Sequence, residues 1–436
     1  MGTTGSAPDL GATAPDAAGR FATVRRLTEA LADPLSPEDQ TAQSMPDASP
    51  TKWHRAHTSW FFETFLLEPH LEGYVPVHAA YRTLFNSYYE GVGPQHTRAE
   101  RGLITRPGID EVATYRRHVD AAMAELLDGT GAIGDGGTSP DSAIGALVEL
   151  GIQHEQQHQE LLLMDIKHLL SRNPLLPAYA PLGPTAAGPA GPATWTAHPG
   201  GPVPVGHDGA GFAFDNESPR HTVQLVPFAL CDRPVTAGEW LAFMDDGGYE
   251  RPELWLAEGW ATAAAEGWAA PLYWAERTAG WHEFTLAGER PVDPARPVCH
   301  ISFFEADAFA RWAGARLPTE AEWEAVSASR LGAGAGVLPA ARLLDLEVLA
   351  PAPAGAATHP LGDVWQWTSS SYAPYPGFVP PAGAVGEYNG KFMVNQYVLR
   401  GGSCATPPGH ARATYRNFFP ARARWAFSGL RLARDV

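Results

Sequence analysis

The chain has 436 residues, 44% apolar and 18% charged, a globular composition too long for one ordinary core. Its net charge of −17, with no long basic run, argues against a general affinity for nucleic acid or an anionic membrane. Three scattered cysteines, Cys231, Cys299 and Cys404, form no CxxC and no disulfide framework, and no apolar run reaches the roughly 18 residues of a membrane span. Residues 1–19 are rich in Gly, Ala, Thr and Pro and lack the order of a signal peptide. They read as a disordered leader on a cytoplasmic protein.

From 20 to 172 the apolar residues recur at helical spacing. FATVRRLTEALAD is the first such segment. SPTKWHRAHTSWFFETFLLEPH opens with Ser49 as an N-cap and Pro50 at the first helical position. EVATYRRHVDAAMAELLDG stops at Gly129. The last, DSAIGALVELGIQHEQQHQELLLMDIKHLLSRNP, starts at Asp141 and Ser142 and ends before Pro174. Four stripes of this kind predict a four-helix bundle. The connection from 68 to 109 has the length of a functional loop. Residues 173–200, loaded with Pro, Ala and Gly, read as a semi-extended linker. From 201 to 436, Trp, Gly and Pro abound and short helical phrases such as TAGEWLAFMDD sit among loops. That texture predicts an α+β domain with much irregular structure. No internal repeat is present.

His154 and His158 in GIQHEQQHQELLL stand one helical turn apart on one face. The spacing serves a metal site or a solvated polar stripe equally well. In KWHRAHTSWFF, Trp53, Ala56, Trp60, Phe61 and Phe65 mark a buried face that includes His57, with His54 nearby. A histidine facing a bundle core is either a satisfied core residue or a ligand. Three neutral imidazoles with open positions suit Zn²⁺ or Fe²⁺, and spacing does not choose between them.

The first half resembles a DinB-type four-helix bundle, and HEQQHQE matches the H-x-x-x-H-x-E phrase of the ergothioneine-biosynthesis sulfoxide synthases. The second half resembles the formylglycine-generating-enzyme (sulfatase-modifying-factor) domain, a C-type-lectin-like α+β fold. The matching phrases are RLPTEAEWE, GDVWQWTSS, VLRGGSCATP and YRNFFPARARWAFSGLRLARD. The resemblance implies a non-haem iron(II) enzyme that uses O₂ to join the sulfur of a cysteine-type thiol to C2 of hercynine (Nα-trimethylhistidine), giving a sulfoxide. It implies His57, His154 and His158 as iron ligands, His57 being preferred to His54 because W-x-x-x-H precedes the aromatic run. It implies Arg98 and Arg101 as a grip on the thiol's carboxylate. Gln157 and Asn417 are implied beside the substrate imidazole, with Phe418 and Phe419 as candidates to face its trimethylammonium. Tyr88 and Tyr89 are the implied catalytic phenols, delivering a proton or an electron, with Tyr388 and Tyr397 in reserve.

Where the relatives using γ-glutamylcysteine carry R-N-W-D, this chain reads RNFF, so it resembles the subgroup taking free cysteine. Cys404 stands alone where formylglycine-generating enzymes have a cysteine pair, so the second domain is expected to be a wall of the site. Alternatives are γ-glutamylcysteine as the thiol, ovothiol-type or selenium-donor coupling, a zinc-dependent DinB-type thiol transferase, and a ligand-binding protein without catalysis.

Overall fold

Asp16 accepts a hydrogen bond from the Gly19 N–H at 2.8 Å and so starts the first helix, α1 (Ala17–Ala32). The computed structural model describes residues 16–129, 140–183, 188–332, 340–355 and 358–436. Of the expected disordered leader, 1–19, residues 1–15 lie outside them, whereas residues 16–19 are ordered as the cap and first turn of α1. A short α2 (Pro37–Thr41) follows, capped reciprocally by Ser36 and Asp39. Next come α3 (Thr51–Phe62), a π-helical turn (Glu63–Leu67) running into α4 (Glu68–His70), a one-turn α5 (Tyr81–Leu84), and the long α6 (Ile109–Gly129) and α7 (Pro140–Ser171). The packing of α1, α3, α6 and α7 makes the four-helix bundle.

All twelve residues of α3 are buried, not only the stripe marked by Trp53, Ala56 and Trp60. The helix is central, with bundle helices on some sides and the 71–108 connection on another. Its charged side chains and the hydroxyls of Thr58 and Ser59 survive burial because they are paired. Lys52 donates to the Ile104 carbonyl at 2.6 Å, and Arg55 reaches Glu29 and Gln40. Thr58 and Ser59 meet Arg25 and Arg116. The cap differs from expectation: Pro50 occupies the N-cap and supplies no side-chain bond. Ser49 is occupied elsewhere, its Oγ accepting from Arg101 and its N–H donating to Asp165. Next to His154, Glu155 is fully buried between Arg25 and Arg116, which bond it at 2.8 and 2.9 Å. Burial alone would raise this carboxyl, but the two guanidiniums hold it at about 2.

The second domain is an α+β assembly of small sheets. Its main sheet runs β10 (Asn417–Pro420), β9 (Gln396–Arg400), β8 (Trp365–Ser371), β11 (Ser428–Leu430), antiparallel except for the β8–β11 pair. A second sheet holds β1 (Trp195–His198), β4 (Phe228–Cys231) and β12 (Ala433–Asp435). Thus the last residues of the Pro/Gly-rich 173–200 stretch form a strand, Trp195 opposite Cys231. A hairpin, β2 (Gly201–Val205) with β3 (His221–Leu225), and a meander of β5 (Trp274–Arg277), β6 (Gly280–Thr285) and β7 (Gly288–Pro291) complete the strands. Helices α8 (Ala237–Asp245), α9 (Ala257–Glu266), α10 (Phe303–Trp312) and α11 (Glu320–Gly332) pack around them. Among the described residues no helix is long and apolar enough to cross a membrane.

The two domains meet along α7. Glu160 accepts from Trp365 Nε1, Ser403 Oγ and Thr406 Oγ1 at 2.7, 2.6 and 2.8 Å, all from the second domain. Three donors on one buried carboxylate make this a directional joint. It lies two residues beyond His158.

Candidate metal centre

Two helices supply the central cluster. On α7, the four-residue step puts His154 and His158 on the face toward α3, and His57 reaches them from α3. One potential ligand nitrogen from each ring can be chosen so that all three lie within 4.8 Å of one another, the one such cluster of His, Cys, Asp or Glu found among the described residues. His57 Nε2 and His154 Nε2 are 3.2 Å apart. Close approach of the helices is allowed by Gly151, one turn before His154, where a Cβ would stand 2.4 Å from the Phe62 ring.

The rings are fixed by stacking. His57 lies between Trp53 and Trp60, with centroids at 4.5 and 5.4 Å, and His154 stacks on Phe61 at 4.5 Å. His57 Nδ1 points at the Phe85 carbonyl at 2.6 Å. A carbonyl only accepts, so Nδ1 carries the hydrogen and Nε2 keeps its lone pair toward the cluster. Burial pushes all three imidazoles down, His154 to about 3, and their mutual proximity pushes His57 and His158 further. They are therefore neutral at pH 7. Three neutral imidazoles whose nitrogens converge in this way fit a borderline divalent cation, which all three would share. His154 Nδ1 is buried with no hydrogen-bond partner.

A cavity of ≈ 450 Å³ opens over the cluster, lined by both domains. His154, His158, Arg98, Arg101, Gln157, Tyr88, Asn417, Phe418 and Phe419 all reach its wall. Arg101 is buried against the Trp53 ring, 3.4 Å from its centroid, and its Nε has no partner. Burial, and then the charge of Arg98, push this guanidinium down to about 8. Arginine keeps its proton to a pH of about 12 or beyond, so the shift expresses a buried charge that Asp165 offsets only in part. Arg98 is exposed and donates to the Asp47 carbonyl.

Gln157 is held at both ends by phenols of the second domain: Tyr388 donates to its Oε1, and its Nε2 donates to Tyr415 at 2.7 Å. A ligand bonding Gln157 must share or displace one of them. Asn417 Oδ1 accepts from the Phe418 N–H, leaving the NH₂ to donate. Phe418 stacks on Tyr372 at 4.0 Å, and with Phe392 and Tyr88 forms an aromatic wall.

The tyrosines separate. Tyr88 and Tyr388 line the cavity. Tyr89, its neighbour in a non-helical loop, does not, and packs its ring against Trp60 and Phe65. Tyr397 stacks on Phe303 at 3.7 Å, away from the cavity. Burial raises the Tyr88, Tyr89 and Tyr388 phenols, so each keeps its proton.

Sequence reasoning passed over Asp165, Tyr415, Phe392 and Trp425, which also line the cavity. Asp165 was within reach of it, lying two helical turns after His158 on the same face. Cys231, Cys299 and Cys404 are free and buried.

Comparison with known proteins follows the same division. The DinB superfamily model matches residues 20–162, and the sulfatase-modifying factor enzyme 1-like domain matches 190–342 and 349–436. A hercynine oxygenase of Mycolicibacterium smegmatis is 36% identical over 423 residues, covering 90% of this chain and 93% of its own length. Another from Mycobacterium tuberculosis is 35% identical over 415 residues, covering 90% and 92%. A formylglycine-generating enzyme of Streptomyces coelicolor is 38% identical over 138 residues, 29% of this chain and 44% of its own.

Proposed function

This chain belongs to the hercynine oxygenase family, and we propose that it joins the sulfur of cysteine to C2 of hercynine with O₂, at an iron(II) site held by His57, His154 and His158. The balance is hercynine plus cysteine plus O₂ giving hercynylcysteine sulfoxide plus water. The C2–H and S–H bonds break and a C–S bond forms. One oxygen atom ends on sulfur and the other in water, which takes both hydrogens.

The observation that carries this reading is the convergence of three neutral imidazoles, His57 and His154 buried and His158 half-buried, under a cavity walled by both domains. When bound, ferrous iron supplies the redox chemistry for O₂ and open positions for both substrates. The protein's own groups do the rest. Arg101, buried and only partly balanced by Asp165, receives the thiol's carboxylate, with Arg98 beside it. Phe419, an apolar residue at the cavity, leaves the thiol pocket without an added acid and favours free cysteine over γ-glutamylcysteine. Asn417 and the Gln157 network orient the imidazole of hercynine. The Phe418–Phe392 wall faces a trimethylammonium, which cannot donate hydrogen bonds and is attracted to ring faces. Tyr88, protonated and on the cavity wall, delivers a proton to reduced oxygen.

The test is anaerobic loading with Fe²⁺, then hercynine, cysteine and air, with mass spectrometry of the product and γ-glutamylcysteine run in parallel. Sulfoxide is expected only with Fe²⁺ and O₂, and faster from cysteine. Turnover with Zn²⁺ or without air, or unchanged metal content in His57→Ala, His154→Ala and His158→Ala, would refute the reading.

A further inference from the structure

We infer that His54 is a positioning residue. With Asp165 it forms a hydrogen-bonded relay that sets the tautomer of His158 and leaves His158 Nε2 as the lone-pair nitrogen. The inference rests on the reading of His57, His154 and His158 as metal ligands.

His54 lies on α3, buried, three residues before His57. Its Nε2 is 3.0 Å from Asp165 Oδ2, and its Nδ1 is 2.9 Å from His158 Nδ1. The same Asp165 oxygen receives the Ser49 N–H at 2.8 Å, so it is an acceptor. His54 Nε2 is then the donor to Asp165, and in the neutral ring His54 Nδ1 is an acceptor. With its one hydrogen on Nε2, His54 takes the hydrogen between the two Nδ1 atoms from His158. His158 Nε2 is left without hydrogen, as His57 Nε2 is by the Phe85 carbonyl.

The geometry gives the relay stiffness. His158 and Asp165 are seven residues apart on α7, almost two whole turns, so one rigid helix fixes both ends. The α3 helix supplies the bridging ring. A histidine present only to fill space would need no partner at either nitrogen, and this one is matched at both. A ligating histidine whose other nitrogen is anchored is held in the right tautomer and is the stronger ligand.

Two measurements test the relay. In metal-free wild-type protein with ¹⁵N-labelled histidine, the His158 ring, assigned by the signals missing in His158→Ala, is expected to carry its hydrogen on Nδ1. An Nε2–H tautomer would overturn the inference. In the second, Co²⁺ is titrated into wild type, His54→Ala and His54→Gln, reading affinity and visible spectrum. His54→Ala is expected to weaken Co²⁺ by roughly 10- to 100-fold and alter its bands. His54→Gln, whose amide oxygen can still accept from His158 Nδ1, is expected to recover much of both. Unchanged affinity and spectrum in His54→Ala would overturn the relay. So would X-ray absorption showing one imidazole fewer in that variant, which would make His54 a ligand. Wild-type protein that bound no Co²⁺ would refute the metal reading, while the tautomer, measured without metal, would still decide the relay.

Discussion

His57 Nε2 and His154 Nε2 face each other at 3.2 Å although 97 positions of sequence separate them. That closeness is a property of the α3–α7 contact, and Gly151 is the residue that permits it. Alanine there has two opposed effects. It favours the helix by about 1 kcal/mol over glycine. Its methyl, however, would sit 2.4 Å from the ring of Phe62, which is itself fully buried, and such overpacking costs about 1–3 kcal/mol. The steric effect wins. Gly151→Ala is expected to lower the melting temperature and to weaken metal binding, because the helices must part to admit the methyl and so draw His57 away from His154 and His158. Calorimetry and a metal titration check it; a more stable protein with unaltered affinity would contradict the account.

Arg101→Ala should damage recognition of the thiol far more than that of hercynine. A charge-assisted hydrogen bond is worth about 1.5–3 kcal/mol, so the KM for cysteine is expected to rise roughly 10- to 100-fold. The KM for hercynine should hardly move. Lysine at 101 should rescue only in part, because an ammonium lacks the planar fork. Steady-state kinetics with each substrate varied in turn reads the difference, and equal rises in both constants would count against the assignment.

Tyr88→Phe removes the cavity-facing phenol and keeps the ring stacked on Tyr89 at 4.6 Å. The expected result is a fall in sulfoxide and a gain in cysteine sulfinate, with O₂ still consumed. Tyr89→Phe, off the cavity wall, should change the ratio much less. Product ratios by mass spectrometry decide between them, and a dominant effect at Tyr89 would reverse the roles.

Glu320 ties the second domain to the cavity. It accepts from Arg400 at 2.9 Å and from Arg416 at 2.9 and 3.0 Å, and Arg416 immediately precedes Asn417. Burial would raise its carboxyl, but Arg416 and Arg400 overcome that and hold it below the usual range. A depressed folded-state pKa means the contribution is complete above the unfolded value of about 4.3 and disappears as pH falls through the lower folded one. Glu320→Gln should therefore destabilise the protein at neutral pH, by about 3–5 kcal/mol for an ion pair broken on one side. The difference from wild type should shrink in acid. Denaturant melts between pH 7 and pH 3 measure it; a pH-independent gap would exclude the linkage.

What the sequence disclosed follows from distance along the chain. His154 and His158 were legible because helical spacing alone puts them on one face. His57 was legible as a core-facing position among Trp53, Trp60 and Phe61. The bundle and the loop-rich second domain followed from periodicity and composition. The roles proposed for Arg98 and Arg101 came only through family likeness, since two loop arginines carry no periodic signal. Others depend on how elements rotate against each other. His54 meets both His158 and Asp165 only once α3 is docked on α7. Tyr88 and Tyr89 part company in a loop whose path is set by tertiary contacts. Trp195 pairs with Cys231 from inside a Pro- and Gly-rich stretch that gives no local hint of a strand.

The joint at Glu160 has one more implication. The same stretch of α7 carries His154 and His158 for the bundle, while Gln157 and Glu160 are clasped by side chains of the other half. Sliding or turning that helix by a single position would misplace both sets together. The cavity is thus keyed to one rod, and a bundle without the second domain would carry His57, His154 and His158 yet lack the cavity's far wall.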